Sequence, residues 1–128
     1  MQEKLLYEYA VIRIVPKVEK EEFFNAGVIL YSRDKKFLDT RMFLNEDKLK
    51  CFAPDADVNE IQAHLQSFAQ IARGEKNGGP IARLDAASRF RWLTATRSTI
   101  VQSSKTHSGF CSNPKEALED LFNKYILE

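Results

Sequence analysis

Residues 23–31 read FFNAGVILY, a nearly unbroken apolar run between the charged stretch KVEKEE and a polar turn at residues 32–36. Its aromatic and β-branched content predicts a strand, central in its sheet and covered on at least one face. A chain built around such a strand needs neighbours for it. Residues 6–15 (LYEYAVIRIV) are similarly rich in strand formers and stop at Pro16, which cannot donate to a ladder. Residues 37–44 (FLDTRMFL) alternate, setting Leu38, Thr40, Met42 and Leu44 against Phe37, Asp39, Arg41 and Phe43. Short connections make these three an antiparallel meander. Simple alternation puts Asn25 and Gly27 on one side of the central strand. Gly27 would weaken that strand unless a bulge or a close approach requires it.

The cover comes from helices. Residues 58–73 carry Val58, Ile61, Leu65, Phe68 and Ala72 on one stripe. Asp57 and Glu60 have capping-box spacing, and Gly74 follows as a stop. Near the end, Asn113-Pro114-Lys115-Glu116 combines an N-cap, a proline at the first helical position and a glutamate at the third. Leu118, Leu121, Phe122 and Tyr125 follow on one stripe. Shorter pieces are a capped turn or two over residues 45–52 and a helix from Asp85 to about Leu93 that buries Phe90 and Leu93. A fourth strand is expected over residues 98–103. GEKNGGP reads as a flexible loop without a regular element.

The length of 128 residues fits one domain, 1–128, and a content of 44% hydrophobic and 29% charged residues is a globular balance. No apolar stretch approaches the ~20 residues of a membrane span, and no signal-like segment opens the chain. The expectation is a cytoplasmic protein away from membranes. In that compartment Cys51 and Cys111 read as small buried hydrophobes. His64 and His107 lack partners at metal-ligand spacing, so no metal and no cofactor are expected. There is no nucleophile elbow and no phosphate-cradling loop. The pair Glu21-Glu22 reads as a solvated turn.

Charge is informative only in its distribution. The total is +1, which argues against nucleic acid as the ligand. Residues 83–105, however, hold five basic side chains (Arg83, Arg89, Arg91, Arg97, Lys105) against Asp85 alone. The same stretch includes the only tryptophan, Trp92. Arg89 and Trp92 lie three apart on the predicted helix, so the guanidinium is expected to stack on the indole. Arg97, Ser98, Gln102 and His107 follow, groups suited to recognising phosphate or carboxylate. The candidate ligand-binding set is therefore Arg89, Trp92, Arg97, Ser98, Gln102 and His107, lining one concavity with Arg97 as the main anion contact. The competing structural reading puts Trp92 and Phe90 in the core and pairs the arginines with carboxylates elsewhere.

The ordered fragments YEYAVIRIVPKVEKEEFFNAGVILYS, GPIARL, RFRWLTATRSTIVQSS, THSGF and NPKEALEDLF resemble the bacterial family known as domain of unknown function 3037, over nearly the whole chain. The matching positions are Arg13, Glu22, Asn25 and Gly27, then Arg89, Trp92, Arg97, Ser98, Thr99, Gln102, His107 and Gly109. The resemblance implies no reaction. It implies a small bacterial protein, with a partner or substrate such as the HipA-like kinases encoded beside family members. The family reads closer to QPSPVHTG where this chain has QSSKTHSG. Lys105 thus replaces an apolar residue and a proline is lost at Ser104 or its neighbour, which predicts a looser loop before His107.

The expected fold is α+β, a mostly antiparallel sheet of about four strands with the two longer helices packed on one face. The leading functional expectation is a non-catalytic binding or accessory module that recognises an anionic group, on a partner protein such as a HipA-like kinase. The alternatives are an enzyme acting on a phosphate ester or nucleotide, with His107 as acid or base and Arg97 as charge clamp, and a nucleic-acid-binding protein.

Overall fold

The three N-terminal strands pair as their patterns predict. In the computed structural model, which describes residues 4–127, β1 (Leu5–Ile14), β2 (Phe24–Ser32) and β3 (Phe37–Met42) form an antiparallel meander. The register runs Ile12↔Gly27 and then Arg13↔Asn25, so Ala26 is the extra residue of a bulge. The bulge reverses the alternation of β2. Phe24 and Ala26 share a face with Ile29 and Tyr31, while Val28 and Leu30 point the other way. Asn25 and Gly27 consequently do not share a side: Gly27 stands opposite Ile12, and Asn25 opposite Arg13. A Cβ at Gly27 would come within 2.6 Å of Met42 Cγ and 2.7 Å of the Arg41 carbonyl oxygen. The close approach of β3 explains a glycine in the middle of an apolar strand.

Downstream lie the helices α1 (Glu46–Phe52), α2 (Val58–Arg73) and α3 (Ala86–Thr94). The strands β4 (Val101–Ser103) and β5 (His107–Cys111) follow, and α4 (Pro114–Phe122) continues into a π turn over Asn123–Leu127. The predicted caps are in place. Asn45, Asp57 and Asn113 each accept from a backbone N–H of the first turn, and Gly74 closes α2 at φ +68. The glycine-rich loop is more ordered than expected, with single 3-10 turns at Lys76–Gly78 and Ile81–Arg83.

The fold is α+β, and among the described residues the antiparallel sheet has five strands, in the order β3-β2-β1-β4, with β5 also on β1. β4 pairs with residues 12–14 of β1 and β5 with residues 5–9, so the two share one side of a long strand. β4 is shorter than predicted because side chains take over its entry. The Thr99 hydroxyl donates to the Val101 carbonyl at 2.7 Å, and the Gln102 amide donates to the Thr99 carbonyl at 2.8 Å. Between β4 and β5, Ser104 is buried. Its N–H donates to the Val11 carbonyl at 2.9 Å, and its Oγ accepts from the Val11 N–H at 2.8 Å. The loop before His107 is therefore pinned to β1 by a serine, which corrects the expected loosening.

The two longer helices lie on opposite faces. Ile12, Ile14 and Ile29 pack with Leu65, Phe68, Phe90 and Leu93 of α2 and α3, whereas Val28 and Leu30 pack with Ala117 and Leu118 of α4. The reversal at Ala26 and the unequal lengths of the strands leave both faces apolar, so each needs a cover. Full burial of a side chain such as Ile12 or Leu30 is worth roughly 1.5–3 kcal/mol. No helix among the described residues is long and apolar enough to cross a membrane.

Candidate functional site

α3 is short and two-sided. Phe90 and Leu93 enter the core while Arg91 and Trp92 face outward, Trp92 being 38% exposed. At Ala95 the backbone becomes extended, and the chain folds back so that Arg97 returns over its own helix. The Arg97 guanidinium carbon lies 3.8 Å from the centroid of the Trp92 ring, and an Arg97 N–H donates to the Trp92 carbonyl. This pair forms the rim of a cavity of about 170 Å³. The floor and far wall come from Phe68 and Ile71 of α2, Leu93 of α3 and Val101 of β4, with His64, Ser67, Gln102 and Ser103 at its margins. The site is an apolar hollow with a cation at its lip.

The predicted set divides here. Trp92, Arg97 and Gln102 line the cavity. Ser98 is exposed on the approach to β4 and does not line it. Arg89 turns the other way, donating to the Leu84 carbonyl at 2.6 Å and to the Ala72 carbonyl at 3.4 Å. The last carbonyls of α2 have no intrahelical donor, and Arg89 supplies one beside Gly74. That is why Arg97, not Arg89, stacks on the indole. His107 is on the other face of the sheet. It pairs with Tyr9 in β1, their rings 5.4 Å apart, and Tyr9 meets Tyr125 through hydroxyls 3.3 Å apart. The expectation of one concavity shared by all six residues is thus corrected by the sheet itself, which separates His107 from Arg97.

Electrostatics distinguish the arginines. Among the described residues the ion pairs are Arg41–Glu119, His64–Glu60, Arg73–Asp39 and Arg73–Glu75. None involves Arg83, Arg89, Arg91, Arg97 or Lys105. Asp85, the single acidic residue of that segment, has its pKa lowered chiefly by the Ser88 hydroxyl. Of these five, Arg97 is the one that lines the cavity, and it has no carboxylate partner among the described residues. On the opposite face the Tyr9 hydroxyl is pushed up to about 12 by its hydrogen bond to Tyr125 and by burial, and burial also raises the Tyr7 hydroxyl and the Cys111 thiol. Cys51 is exposed rather than buried, because α1 turns only Leu49 fully inward. No cluster of three metal-ligating side chains occurs among the described residues.

Over residues 9–126 the sequence matches the family described as protein of unknown function (DUF3037). The chain belongs to this family. No curated protein and no solved structure matches it. In this DUF3037 chain the α2 contribution to the cavity was missed by reading residues 83–107 alone. The signal was present: His64, Ser67, Phe68 and Ile71 follow helical i, i+3, i+4, i+7 spacing. Phe68 belongs to the core stripe too, and His64, Ser67 and Ile71 flank it on the side turned toward the cavity.

Proposed function

We propose that this DUF3037 chain is a non-catalytic binding module that recognises an anionic group, attached to an apolar moiety, at the Trp92–Arg97 cavity. The observation that carries the reading is Arg97 itself, held over the Trp92 ring in the lining of an apolar hollow, with no carboxylate paired to it among the described residues. The ring contact and the bond to the Trp92 carbonyl restrain the guanidinium and leave other N–H groups for a carboxylate or phosphate, so little side-chain freedom is lost on binding. An enzymatic reading through His107 and Arg97 loses support, since the two lie on opposite faces. A protein partner such as a HipA-like kinase is the proposed bearer of the anionic group.

Phenyl phosphate is a suitable probe, with phenol as its uncharged counterpart. Titration into isotope-labelled protein should move the Trp92 indole and the Gln102 amide resonances, and phenol should bind much more weakly. Arg97→Ala should weaken phenyl phosphate binding ~10–150-fold, the loss of a charged hydrogen bond of ~1.5–3 kcal/mol, while the chain still folds cooperatively with a modestly lower midpoint, since the stack on Trp92 and one bond to its carbonyl are also lost. Equal binding by parent and variant would overturn the proposal.

A further inference from the structure

The cavity opens beside the free edge of the sheet. Among the described residues β4 ends the strand order and pairs with β1 alone. The Val15 N–H donates to the Ile100 carbonyl and the Ser104 N–H to the Val11 carbonyl. In an antiparallel ladder, pairs that exchange bonds recur every second residue. Gln102 therefore bonds inward to Arg13, and the backbone groups of Val101 and Ser103 point away from β1. The Thr99 hydroxyl takes the Val101 carbonyl. The Val101 N–H and both backbone groups of Ser103 remain directed outward.

We infer that this edge accepts an extended acidic segment of a partner protein as an added strand, with one medium-sized apolar side chain of that segment seated in the Trp92–Arg97 cavity. The inference rests on the binding reading above and adds the class of partner and its mode of attachment. A strand laid along β4 would run about 4.8 Å from it, with alternate side chains turned to the α2 face. That is where the hollow of about 170 Å³ lies, and apolar cavities of roughly 150 Å³ accept a benzene-sized group. The next side chain on that face, or the one beside it on the rim, meets Arg97. Arg97 in the cavity lining and Lys105 two residues past β4, neither in an ion pair among the described residues, favour an acidic segment. The same two charges argue against a second copy of this chain, because pairing two β4 edges would bring Arg97 and Lys105 of both copies together.

The test uses capped octapeptides that alternate glutamate with leucine or phenylalanine, the same peptides with glutamine for glutamate, and versions N-methylated at every second backbone position. The glutamate peptide should slow hydrogen exchange of the Val101 and Ser103 amides, and should lose about tenfold or more in affinity on change to glutamine or on N-methylation in one of the two registers. The N-methylated peptides test the strand bonds from the ligand side, with the protein and its anion cavity unaltered. Phenyl phosphate binding with no amide protection by any peptide overturns strand addition and leaves the anion site standing. Failure of both probes overturns both. Protection of the two amides in a protein dimer without peptide also overturns it, by making a second copy the occupant.

Discussion

The two faces of the sheet use arginine in opposite ways. Under α4, Arg41 of β3 lies over the Phe122 ring and pairs with Glu119 at 3.2 Å, so its charge is answered within the fold. Beside α2 and α3, Arg97 lies over the Trp92 ring in much the same manner, but its polar partner is a backbone carbonyl. A carbonyl occupies a donor without neutralising the ion. Cation-on-ring packing is thus common to both, and the carboxylate is what differs. An arginine stacked on a ring and paired with a carboxylate is neutralised within the fold, whereas one bonded only to a carbonyl keeps its charge, which is the basis of the proposed site at Arg97.

Loss of core packing under α4 should destabilise the fold most. Leu118 is 3% exposed and packs between α4 and the Val28–Leu30 side of the sheet. Leu118→Ala should cost ~2–5 kcal/mol, read as a lower denaturant midpoint. Leu121, only half-buried, should cost less on the same change. Equal midpoints for Leu118→Ala and the parent would mean that α4 does not hold its face.

A second test sharpens the contrast among arginines. Arg89→Ala removes donors from the Ala72 and Leu84 carbonyls and should destabilise by about 1.5 kcal/mol, the lower end for a charged hydrogen bond since the site is partly solvated. Arg41→Ala breaks a half-exposed ion pair and should cost under about 1 kcal/mol. Neither should weaken phenyl phosphate binding. Loss of binding in Arg89→Ala at an unchanged midpoint would return Arg89 to the site.

Elements whose signals are local were legible in the sequence. The caps at Asp57 and Asn113, the stop at Gly74 and the apolar stripe of α2 all depend on residues within a turn or two of each other. Two kinds of feature were not legible. Gly27 admitted either a bulge or a close approach without telling which residue is doubled, so the reversal at Ala26 was not readable, and the two long helices were placed on one face. β5 (HSGFC) lacks an alternating apolar pattern: His107 stands opposite Tyr9 and Cys111 opposite Leu5, and His107, Ser108 and Phe110 are all exposed. For the site, sequence proximity was the misleading cue. Arg89, Arg97 and His107 lie close along the chain, but a helix terminus claims the first and a sheet stands between the other two.

The smallest effect at neutral pH is the titration of the α4 face, and its sign is fixed by the tyrosine pair. The Tyr9 hydroxyl ordinarily titrates near 10 and is raised to about 12 by the hydrogen bond to Tyr125, with burial adding to it. A pKa raised on folding means that the folded state favours the protonated phenol. The corresponding stability is fully present below pH 10 and is lost as pH rises toward 12. On the α2 face, His64 is half-exposed beside Glu60 and no buried phenol pair exists among the described residues lining the cavity. Alkaline weakening should therefore begin under α4. Unfolding midpoints measured between about pH 9 and 12 should fall in the parent and fall less steeply in Tyr9→Phe. Tyrosinate absorbance should show one phenol fewer titrating late in that variant. Parallel pH slopes in parent and Tyr9→Phe would show that the Tyr9–Tyr125 contact does not set the alkaline limit of this face.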